Sequence, residues 1–309
     1  MIRFIIKRLL MLIPVVLGIT LFIFVIMDIA PGDPARAILG AEATVDEVLA
    51  LRQEMGLDAP LMMRYVKYLG DLVRGEFGTS WYSNYDVLDE FLSRLPSTLA
   101  LGSLAFLIAT VIGIPLGVIA AVKQYHVVDY VSLVIAMVFS SMPPFWFGLM
   151  AQNYLAVKWG LFPATGIGSF SHFILPACTL AAAQLAAQVR MTRSSMLDVI
   201  KQDYVRTARS KGATEGWIIR KHIIRNGMLP VVTQLGISFA VMLSGSVVIE
   251  SVFSIPGIGS FLINGVKVRD VPIVMGVIVI IAVFVGLVNL LVDLLYAVID
   301  PRVKHGFAS

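Results

Sequence analysis

Residues 9–27 of the chain read LLMLIPVVLGITLFIFVIM and contain no charged side chain. A helix needs about 20 predominantly apolar residues to cross about 30 Å of hydrocarbon, so this stretch predicts a membrane-spanning helix. Further apolar stretches follow at residues 98–122, 131–157, 173–189, 228–249 and 271–298. The sequence therefore predicts an all-α membrane protein with six transmembrane helices.

The composition supports this fold class. Of the 309 residues, 58% are hydrophobic and 14% are charged, and the mean hydropathy is +0.87, whereas soluble domains carry about 25% charged residues. These values exclude a soluble enzyme, a nucleic-acid-binding protein and a disordered chain. The single cysteine, Cys178, excludes a disulfide framework and a Cys-rich metal site, and the four histidines have no paired ligand spacing.

Prolines define breaks and ends of these stretches. Pro143 and Pro144 remove two backbone donors within the third stretch, which predicts a break or kink. The sixth stretch is long enough to tilt, and Asp300-Pro301-Arg302 predicts its end because the residue before a proline avoids helical geometry.

A cleaved signal peptide is the alternative for the N-terminus. We expect an uncleaved first span, because its apolar stretch exceeds about 15 residues and no A-x-A site follows it.

The positions of lysine and arginine predict the orientation. Six spans place both termini on one side, and fifteen of the 24 Lys and Arg residues lie there, whereas the short loops opposite carry Lys158, Lys267 and Arg269. The positive-inside rule therefore predicts cytoplasmic termini. Residues 31–94 lie on the other side with eleven acidic and six basic residues, and segments of this length translocate largely regardless of charge.

Residues 31–94 are expected to form an extracytoplasmic helical segment. Pro31-Gly32-Asp33-Pro34 predicts a turn at its start, and the apolar spacing predicts short amphipathic helices around residues 45–51 and 65–73. Its aromatic residues, which include Trp81, are typical of a cap on the membrane surface. A docking platform for an external partner is the alternative that composition leaves open.

The cytoplasmic segment of residues 190–226 carries nine basic and three acidic residues. We expect a helix over residues 194–210 that extends the fourth span, and a left-handed backbone at Gly212. A second helix is expected to start at Ala213-Thr214-Glu215.

Apolar residues and small residues each recur four positions apart in this segment. Ile219 and Ile223 are four residues apart and share one face of the second helix. Ala208 and Gly212, also four apart, would leave a low surface that another protein could approach closely. Anchoring by positive charge alone is the alternative.

Motifs for nucleotide binding or covalent catalysis are missing from the sequence. Lys211-Gly212 is in the wrong order for a GxxxxGK[ST] phosphate loop, and GxSxG and paired-histidine motifs do not occur. We therefore expect neither an enzyme nor an ATP site of the usual kind in this chain. Gly113 and Gly117, four apart in the second span, are typical of close helix packing.

Polar side chains within the spans are candidates for a translocation path. They comprise two pairs spaced four apart and one residue that closes the fifth span: Gln184 and Gln188, Asn289 and Asp293, and Glu250. An aspartate at mid-bilayer costs about 2.5–3.5 kcal/mol, which favours an inward-facing or water-lined position for Asp293. Hydrogen bonding between helices is an equal alternative for each residue.

An ordered set of motifs runs along the chain from residue 2 to about residue 304. It comprises Ile13-Pro14, Pro31-Gly32-Asp33-Pro34, residues 75–80, Arg94-Leu95-Pro96, residues 113–117 (GIPLG), Pro144-Phe145-Trp146, residues 190–196 (RMTRSSM), residues 203–212 (DYVRTARSKG), Arg225-Asn226, residues 250–253, residues 256–259 (PGIG), Arg269-Asp270 and residues 293–302. Together these motifs resemble the B-type inner-membrane permease subunits of ATP-binding-cassette (ABC) importers for dipeptides, oligopeptides and nickel.

The resemblance implies a type I ABC importer permease fold in a bacterial or archaeal inner (plasma) membrane. Its implied parts are an N-terminal helix (1–30), an extracytoplasmic segment (31–94), a core permease domain (95–304) with a coupling loop (190–230), and a C-terminal tail (305–309). The implied coupling helix would sit in a groove of a separate ATPase subunit. Its residues would be Asp203, Tyr204, Arg206, Thr207, Ala208, Arg209, Lys211 and Gly212.

The resemblance also implies partners and cargo. The partners would be a second, C-type permease, two ABC ATPase subunits that bind ATP and Mg, an extracytoplasmic substrate-binding protein and the lipid bilayer; this chain would carry no cofactor, metal or catalytic residue. The cargo would be dipeptides or oligopeptides, with nickel or glutathione-like compounds as alternatives.

Two other protein classes were weighed against this resemblance. An ion-driven secondary transporter would require inverted repeats and paired charges in mid-span, and an intramembrane enzyme would require a nucleophile or a metal constellation; neither pattern is evident.

Overall fold

A computed structural model describes residues 2–299 of the chain, and the predictions for Asp300-Pro301-Arg302 and for the tail concern residues outside that range. The described residues fold into helices joined by short connections. The α-helices are α1 (Ile2–Ile29), α2 (Pro34–Leu39), α3 (Val45–Glu54), α4 (Leu61–Val73), α5 (Val87–Val122), α6 (Val127–Ser141), α7 (Pro144–Ala151), α8 (Ser171–Ile200), α9 (Asp203–Ser210), α10 (Glu215–Ile218), α11 (Arg225–Val252), α12 (Ile258–Val268) and α13 (Val271–Ile299). Two π-helical segments, Gln152–Lys158 and Ile219–Ile224, follow α7 and α10.

Helix length and hydropathy identify the candidate membrane spans among the described residues. Helices α1, α5, α8 and α13 are each long and apolar enough to cross a membrane. Two bent pairs also qualify, Val127–Ser141 with Pro144–Lys158 and Glu215–Met242 with Ser246–Val252. The structure therefore contains four candidate spans, or up to six if each bent pair is counted as one span.

The predicted break at Pro143-Pro144 is confirmed. Helix α6 ends at Ser141, Met142 is extended with ψ 130°, and α7 begins at Pro144. The two segments that flank the break are bent by 100°. Because a proline lacks the N–H and fixes φ, it is tolerated at the first turn of a new helix but not within the preceding one.

The prediction of one helix over residues 194–210 is wrong. Helix α8 ends at Ile200, Gln202 adopts an extended conformation with ψ 146°, and α9 starts afresh at Asp203. The break changes the direction of the chain, so that Val205 of α9 becomes buried in the same apolar cluster as Leu197 of α8.

A π-helical segment alters which isoleucines are buried after α10. Ile218 and Ile223, five residues apart, are buried, whereas Ile219 is only partly buried. A π-helix bonds residues i and i+5, so the spacing of five places Ile218 and Ile223 on one face. Ile219 also packs against this cluster, as a partly buried neighbour of Ile218 and Ile223.

The chain divides into two compact units, and the division falls within α5 and α13. The first unit comprises residues 1–97 and 256–287. One of its apolar clusters includes Phe91, Phe261 and Val277, and another includes Phe24, Tyr65 and Met275.

Helices α2, α3 and α4 belong to the first unit, and α2 and α3 start at local caps. The Asp33 carboxylate accepts a hydrogen bond from the Ala35 N–H at 2.9 Å, and Thr44 and Glu47 form a capping box at α3. Arg52 joins the start of α2 to α3, with its Nη1 2.8 Å from Oδ2 of Asp33. Helices near the two predicted amphipathic stretches are thus confirmed, and α2 is an addition.

The second unit comprises residues 98–255 and 288–309. Its larger apolar cluster includes Leu101, Met242 and Phe253. Close packing between α5 and α8 is confirmed at the predicted glycines: a Cβ added to Gly117 would lie 2.6 Å from Cβ of Thr192, and one added to Gly113 would lie 3.0 Å from Cβ of Gln188.

Candidate functional site

Residues 203–226 contain the predicted coupling helix and are called the coupling segment; they begin with the short helix α9. Its first residue is the acidic Asp203, whose charge complements the positive end of the helix dipole. The Thr207 hydroxyl donates to the Asp203 carbonyl oxygen at 2.9 Å. The helix ends at Ser210, Lys211 caps it, and Gly212 adopts φ +80°. The left-handed glycine predicted from the sequence is confirmed, because this conformation closes a helix at little cost only for glycine.

The side of α9 that faces the protein is held by one apolar cluster. Val205 is fully buried and packs with Met196 and Leu197 of α8 and with Ile218 and Ile223. This cluster connects α9 to the last turns of α8.

The other side of the coupling segment is open. Of the residues expected to contact an ATPase, all but Ala208 are exposed: Asp203, Tyr204, Arg206, Thr207, Arg209, Lys211 and Gly212. A Cβ added to Gly212 would meet no atom of the described residues within 4 Å. Ala208 is half-buried and packs against the apolar cluster, so the low surface expected from Ala208 and Gly212 is provided by Gly212.

A charge pair closes the turn between α9 and α10. Nε and Nη2 of Arg209 donate to the two carboxylate oxygens of Glu215 at 2.7 and 3.2 Å. The hydrogen bonds from Arg209 hold the pKa of Glu215 below its ordinary value, and the same bonds raise the pKa of Arg209. Both side chains are more than 40% exposed (42% and 61%), so the pair orders the turn without adding much stability.

Tyr204 of α9, a predicted coupling residue, forms an aromatic group with Trp217 and His222, which had no predicted role. The rings of Tyr204 and Trp217 lie 5.9 and 5.0 Å from the His222 ring, measured between centroids. Asn226 Nδ2 donates to the Tyr204 hydroxyl at 3.2 Å. Trp217 and His222 are five residues apart, a spacing that becomes meaningful only with the π-helical segment between them. This group orients the exposed face of α9 against the start of α11.

Glu250 is the most enclosed of the five path candidates. It is fully buried near the end of α11. Its Oε1 accepts hydrogen bonds from the hydroxyls of Thr98 on α5 at 2.8 Å and of Ser246 on α11 at 2.9 Å. These bonds match the helix-packing alternative.

Gln184 and Gln188 also bond to hydroxyl side chains. Gln184 Nε2 donates to Ser238 Oγ on α11, and Gln188 Nε2 lies 3.4 Å from Thr192 Oγ1 on its own helix. Gln188 is 1% exposed, and its Oε1 has no hydrogen-bond partner within residues 2–299. The two remaining candidates differ, because Asn289 is exposed on α13 and Asp293 is partly exposed one turn later.

An ion pair between α6 and α8 was missed entirely by the sequence analysis. Arg193 donates two hydrogen bonds to the Asp129 carboxylate, from Nε to Oδ1 at 2.5 Å and from Nη2 to Oδ2 at 2.8 Å. The backbone N–H of Tyr125, a residue with φ +65°, donates to the same carboxylate at 3.1 Å. The Asp129 side chain is 2% exposed and that of Arg193 19%. The pair therefore clamps the start of α6 against α8.

Three of the sequence motifs converge in the first unit. Asp270 is fully buried, and its Oδ2 accepts a hydrogen bond from the Ser80 hydroxyl at 2.6 Å. Its Oδ1 accepts from the Ile273 N–H at 3.3 Å, which caps the start of α13. The Arg269 guanidinium packs against Gly32 and donates to the Ala30 carbonyl oxygen at 3.3 Å. The segments around Gly32, Ser80 and Asp270 thus form one structural junction.

The described residues do not suggest a catalytic metal centre. No group of three or more His, Cys, Asp or Glu residues within the described part of the chain is placed to hold a metal ion.

Comparison with protein families gives two matches that together cover most of the chain. Residues 113–305 match the family described as binding-protein-dependent transport system inner membrane component. Residues 1–102 match the N-terminal family of the same membrane components.

Curated relatives match along nearly the full length. The chain is 41% identical over 305 residues to the glutathione transport system permease protein GsiC of Escherichia coli (strain K12), covering 99% of this chain and 100% of that protein. It is 40% identical over 337 residues to the dipeptide transport system permease protein DppB of the same strain, covering 99% of each.

Solved structures of more distant transporters share the fold. A chain of the inward-facing MetNI methionine ABC transporter aligns with a TM-score of 0.56 and 19% identity, covering 69% of this chain and 97% of that one. A chain of an amino acid ABC transporter solved with histidines aligns with a TM-score of 0.54 and 22% identity, covering 70% and 94%.

Proposed function

This chain belongs to the family of inner-membrane components of binding-protein-dependent transport systems, and from that membership we propose how its parts act in transport. The chain is a permease of an ABC importer, a membrane subunit that works with ATPase subunits and a substrate-binding protein. It belongs with the permeases of the dipeptide and oligopeptide group. What remains to be assigned is which residues couple to the ATPase, which line the path and which cargo passes.

We propose that the ATPase subunit binds the exposed face of α9, including Gly212 just after its end. The observation that carries this assignment is the two-sided construction of α9: Val205 is fully buried against the end of α8, while Arg206 and Gly212 are exposed. A helix held on one side and open on the other transmits a push or pull from a docked subunit as a rigid body. The residues concerned are those named from the sequence: Asp203, Tyr204, Arg206, Thr207, Ala208, Arg209, Lys211 and Gly212.

Substitution of Gly212 tests this assignment in the complete transporter reconstituted into proteoliposomes. Gly212→Trp should abolish ATP-dependent uptake while the chain still inserts and assembles. Gly160→Trp is a matched control, because Gly160 also has a positive φ (+62°) and open space among the described residues. Gly212→Asn should retain uptake, since asparagine tolerates the left-handed backbone. Normal uptake by Gly212→Trp, or equal loss in the Gly160→Trp control, would count against the docking surface.

We propose short peptides as the cargo, with dipeptides and glutathione-like compounds first in order. The support is that the named relatives, at 40% and 41% identity over nearly their whole length, are permeases for dipeptides and glutathione. Nickel is the alternative cargo. Competition uptake assays with dipeptides, longer peptides, glutathione and nickel, each with the cognate binding protein, would identify the cargo. Uptake of nickel alone would refute the peptide assignment.

We propose a six-span topology with both termini in the cytoplasm and residues 31–94 outside. It is supported by the two bent pairs, each counted as one span, and by the excess of basic residues on the side of the termini. The proposed divisions are 1–30, 31–94, 95–304 with the coupling loop 190–230, and the tail 305–309. Cysteine labelling from each side of right-side-out and inverted vesicles tests this orientation.

We propose that the chain forms the pore together with a C-type permease, while two ATPase subunits bind the ATP and Mg. For the translocation path we favour Asn289 and Asp293, because their side chains are accessible on a membrane helix. Gln184, Gln188 and Glu250 are further candidates, although their hydrogen bonds also fit a role in helix packing.

The chain alone should neither hydrolyse ATP nor transport. Uptake driven by an ion gradient without an ATPase would instead support a secondary transporter.

A further inference from the structure

Helix α4 has more apolar surface than its packing within the chain uses. One side packs into the first unit through Tyr65, Tyr68 and Leu69. Beside it lies a second apolar strip whose side chains are 63–89% exposed: Met62, Met63, Val66 and Val73. We call these four residues the outer strip of α4. Monomeric soluble surfaces rarely expose contiguous apolar patches of this kind, so the outer strip calls for a partner.

The polar side of α4 is narrow and separate from the outer strip. Arg64, Lys67 and Asp71 are spaced three and four residues apart, so they line one side of the helix. The outer strip and the packed side together occupy the rest of the circumference. A wide apolar sector with a narrow charged one is the pattern of a helix that lies along a membrane interface.

Hydrogen bonds fix the level of α4 along the neighbouring membrane helices. The Tyr65 hydroxyl donates to the Leu17 carbonyl oxygen at 3.0 Å and lies 2.9 Å from Thr20 Oγ1. Helix α1 continues to Ile29, nine residues or about 13 Å beyond Thr20. Tyr65 therefore reaches well below the outer end of α1.

A second pair of contacts gives the same level. The Tyr68 hydroxyl donates to the Met275 carbonyl oxygen at 3.4 Å, four residues inside α13, which begins at Val271. Arg64, one turn before Tyr68, forms an ion pair with Asp28 near the end of α1. The polar side of α4 thus lies at the level where α1 becomes polar, and the outer strip lies towards the apolar part of α1. There Leu21 of α1, one turn from Leu17, is 37% exposed.

We propose that the outer strip of α4 is immersed in the acyl chains of the outer half of the bilayer, with Lys67 at the level of the lipid headgroups. The occupant is lipid because the strip lies beside membrane-spanning helices, below their outer ends, and continues the apolar surface of α1. An external protein partner would instead meet the polar side of α4. This inference rests on the proposed orientation, with residues 31–94 outside, and does not depend on which cargo is carried.

Spin labels on the full-length chain in phosphatidylcholine nanodiscs test the proposal. Cys178, the one cysteine of the sequence and an exposed one, is first changed to serine. A nitroxide is then attached to single cysteines in place of Met63, Val66, Val73 and, as a control on the same helix, Lys67. Collision rates are measured with oxygen, which concentrates in lipid, and with a water-soluble nickel complex.

The proposal predicts a several-fold higher ratio of oxygen to nickel collisions at Met63, Val66 and Val73 than at Lys67. Three positions keep the test decisive if one labelled variant fails to insert. Nickel collisions at the outer strip equal to those at Lys67 would mean that water covers the strip. Protection of the strip from both reagents would mean that protein covers it, either a second copy or a partner. Each of these two results would overturn the assignment to lipid.

Discussion

The ion pair between Arg193 and Asp129 allows a sharp prediction, because its two members are unequally buried. The Asp129 side chain is 2% exposed, whereas that of Arg193 is 19% exposed. Arg193→Gln would leave a buried carboxylate without its cation, and breaking a buried pair in this way costs about 3–5 kcal/mol. Asp129→Asn removes the charged acceptor but leaves a guanidinium that can reach water along its flexible stem, so the loss should be nearer about 1–3 kcal/mol.

Equilibrium unfolding of the chain in mixed micelles measures these differences. We expect Arg193→Gln to be the more destabilised single variant, and the double variant Arg193→Gln/Asp129→Asn to be more stable than Arg193→Gln alone. The coupling energy in this double-mutant cycle should exceed about 1 kcal/mol. Additive losses within about 0.5 kcal/mol, or a larger loss for Asp129→Asn, would refute the reasoning. The same variants in the assembled transporter should lower uptake per ATP hydrolysed, since the pair clamps α6 to the helix that precedes the coupling segment.

Three further predictions follow from local geometry. Gly117→Ala should lower stability by about 1–3 kcal/mol, because the new Cβ would crowd α8, whereas Gly18→Ala, with no described atom within 4 Å, should be near neutral in unfolding titrations. Glu250→Leu should shift the unfolding midpoint well below that of Glu250→Gln, which keeps an acceptor for two buried hydroxyls. Burial raises the pKa of Asp33, but bonds from Arg52 and backbone amides outweigh it and lower that pKa below 3.8. The amides of α2 should therefore stay protected from hydrogen exchange above the ordinary pKa of an aspartate. The protection should be lost as the pH falls through the lowered pKa of Asp33, and Asp33→Asn should remove this pH dependence.

The sequence predicted the features that depend on local composition. The apolar stretches, the break at Pro143-Pro144, the left-handed Gly212 and the close packing at Gly117 are each determined by a few neighbouring residues. Apolar length, proline chemistry and small-residue spacing carry a strong physical signal of this kind.

The features that were missed depend on distant partners or on irregular helices. Ser80 and Asp270 are 190 residues apart in the sequence, and Asp129 and Arg193 are 64 apart. A polar residue that will be paired across the fold has no periodic signal of its own. No proline or glycine marks the break before Asp203, where Gln202 is extended, so regular periodicity extended the predicted helix too far.

The π-helical segment Ile219–Ile224 joins α10 to α11 without interruption. Such a segment contains one residue more than an ordinary turn requires, and that residue offsets the two flanking helices by about 100° around their common axis. Deleting a single residue there would restore regular winding and turn the surface around Trp217 away from its present direction relative to α11. The rotation of α10 about the axis of α11 is therefore sensitive to the length of the chain at this one place.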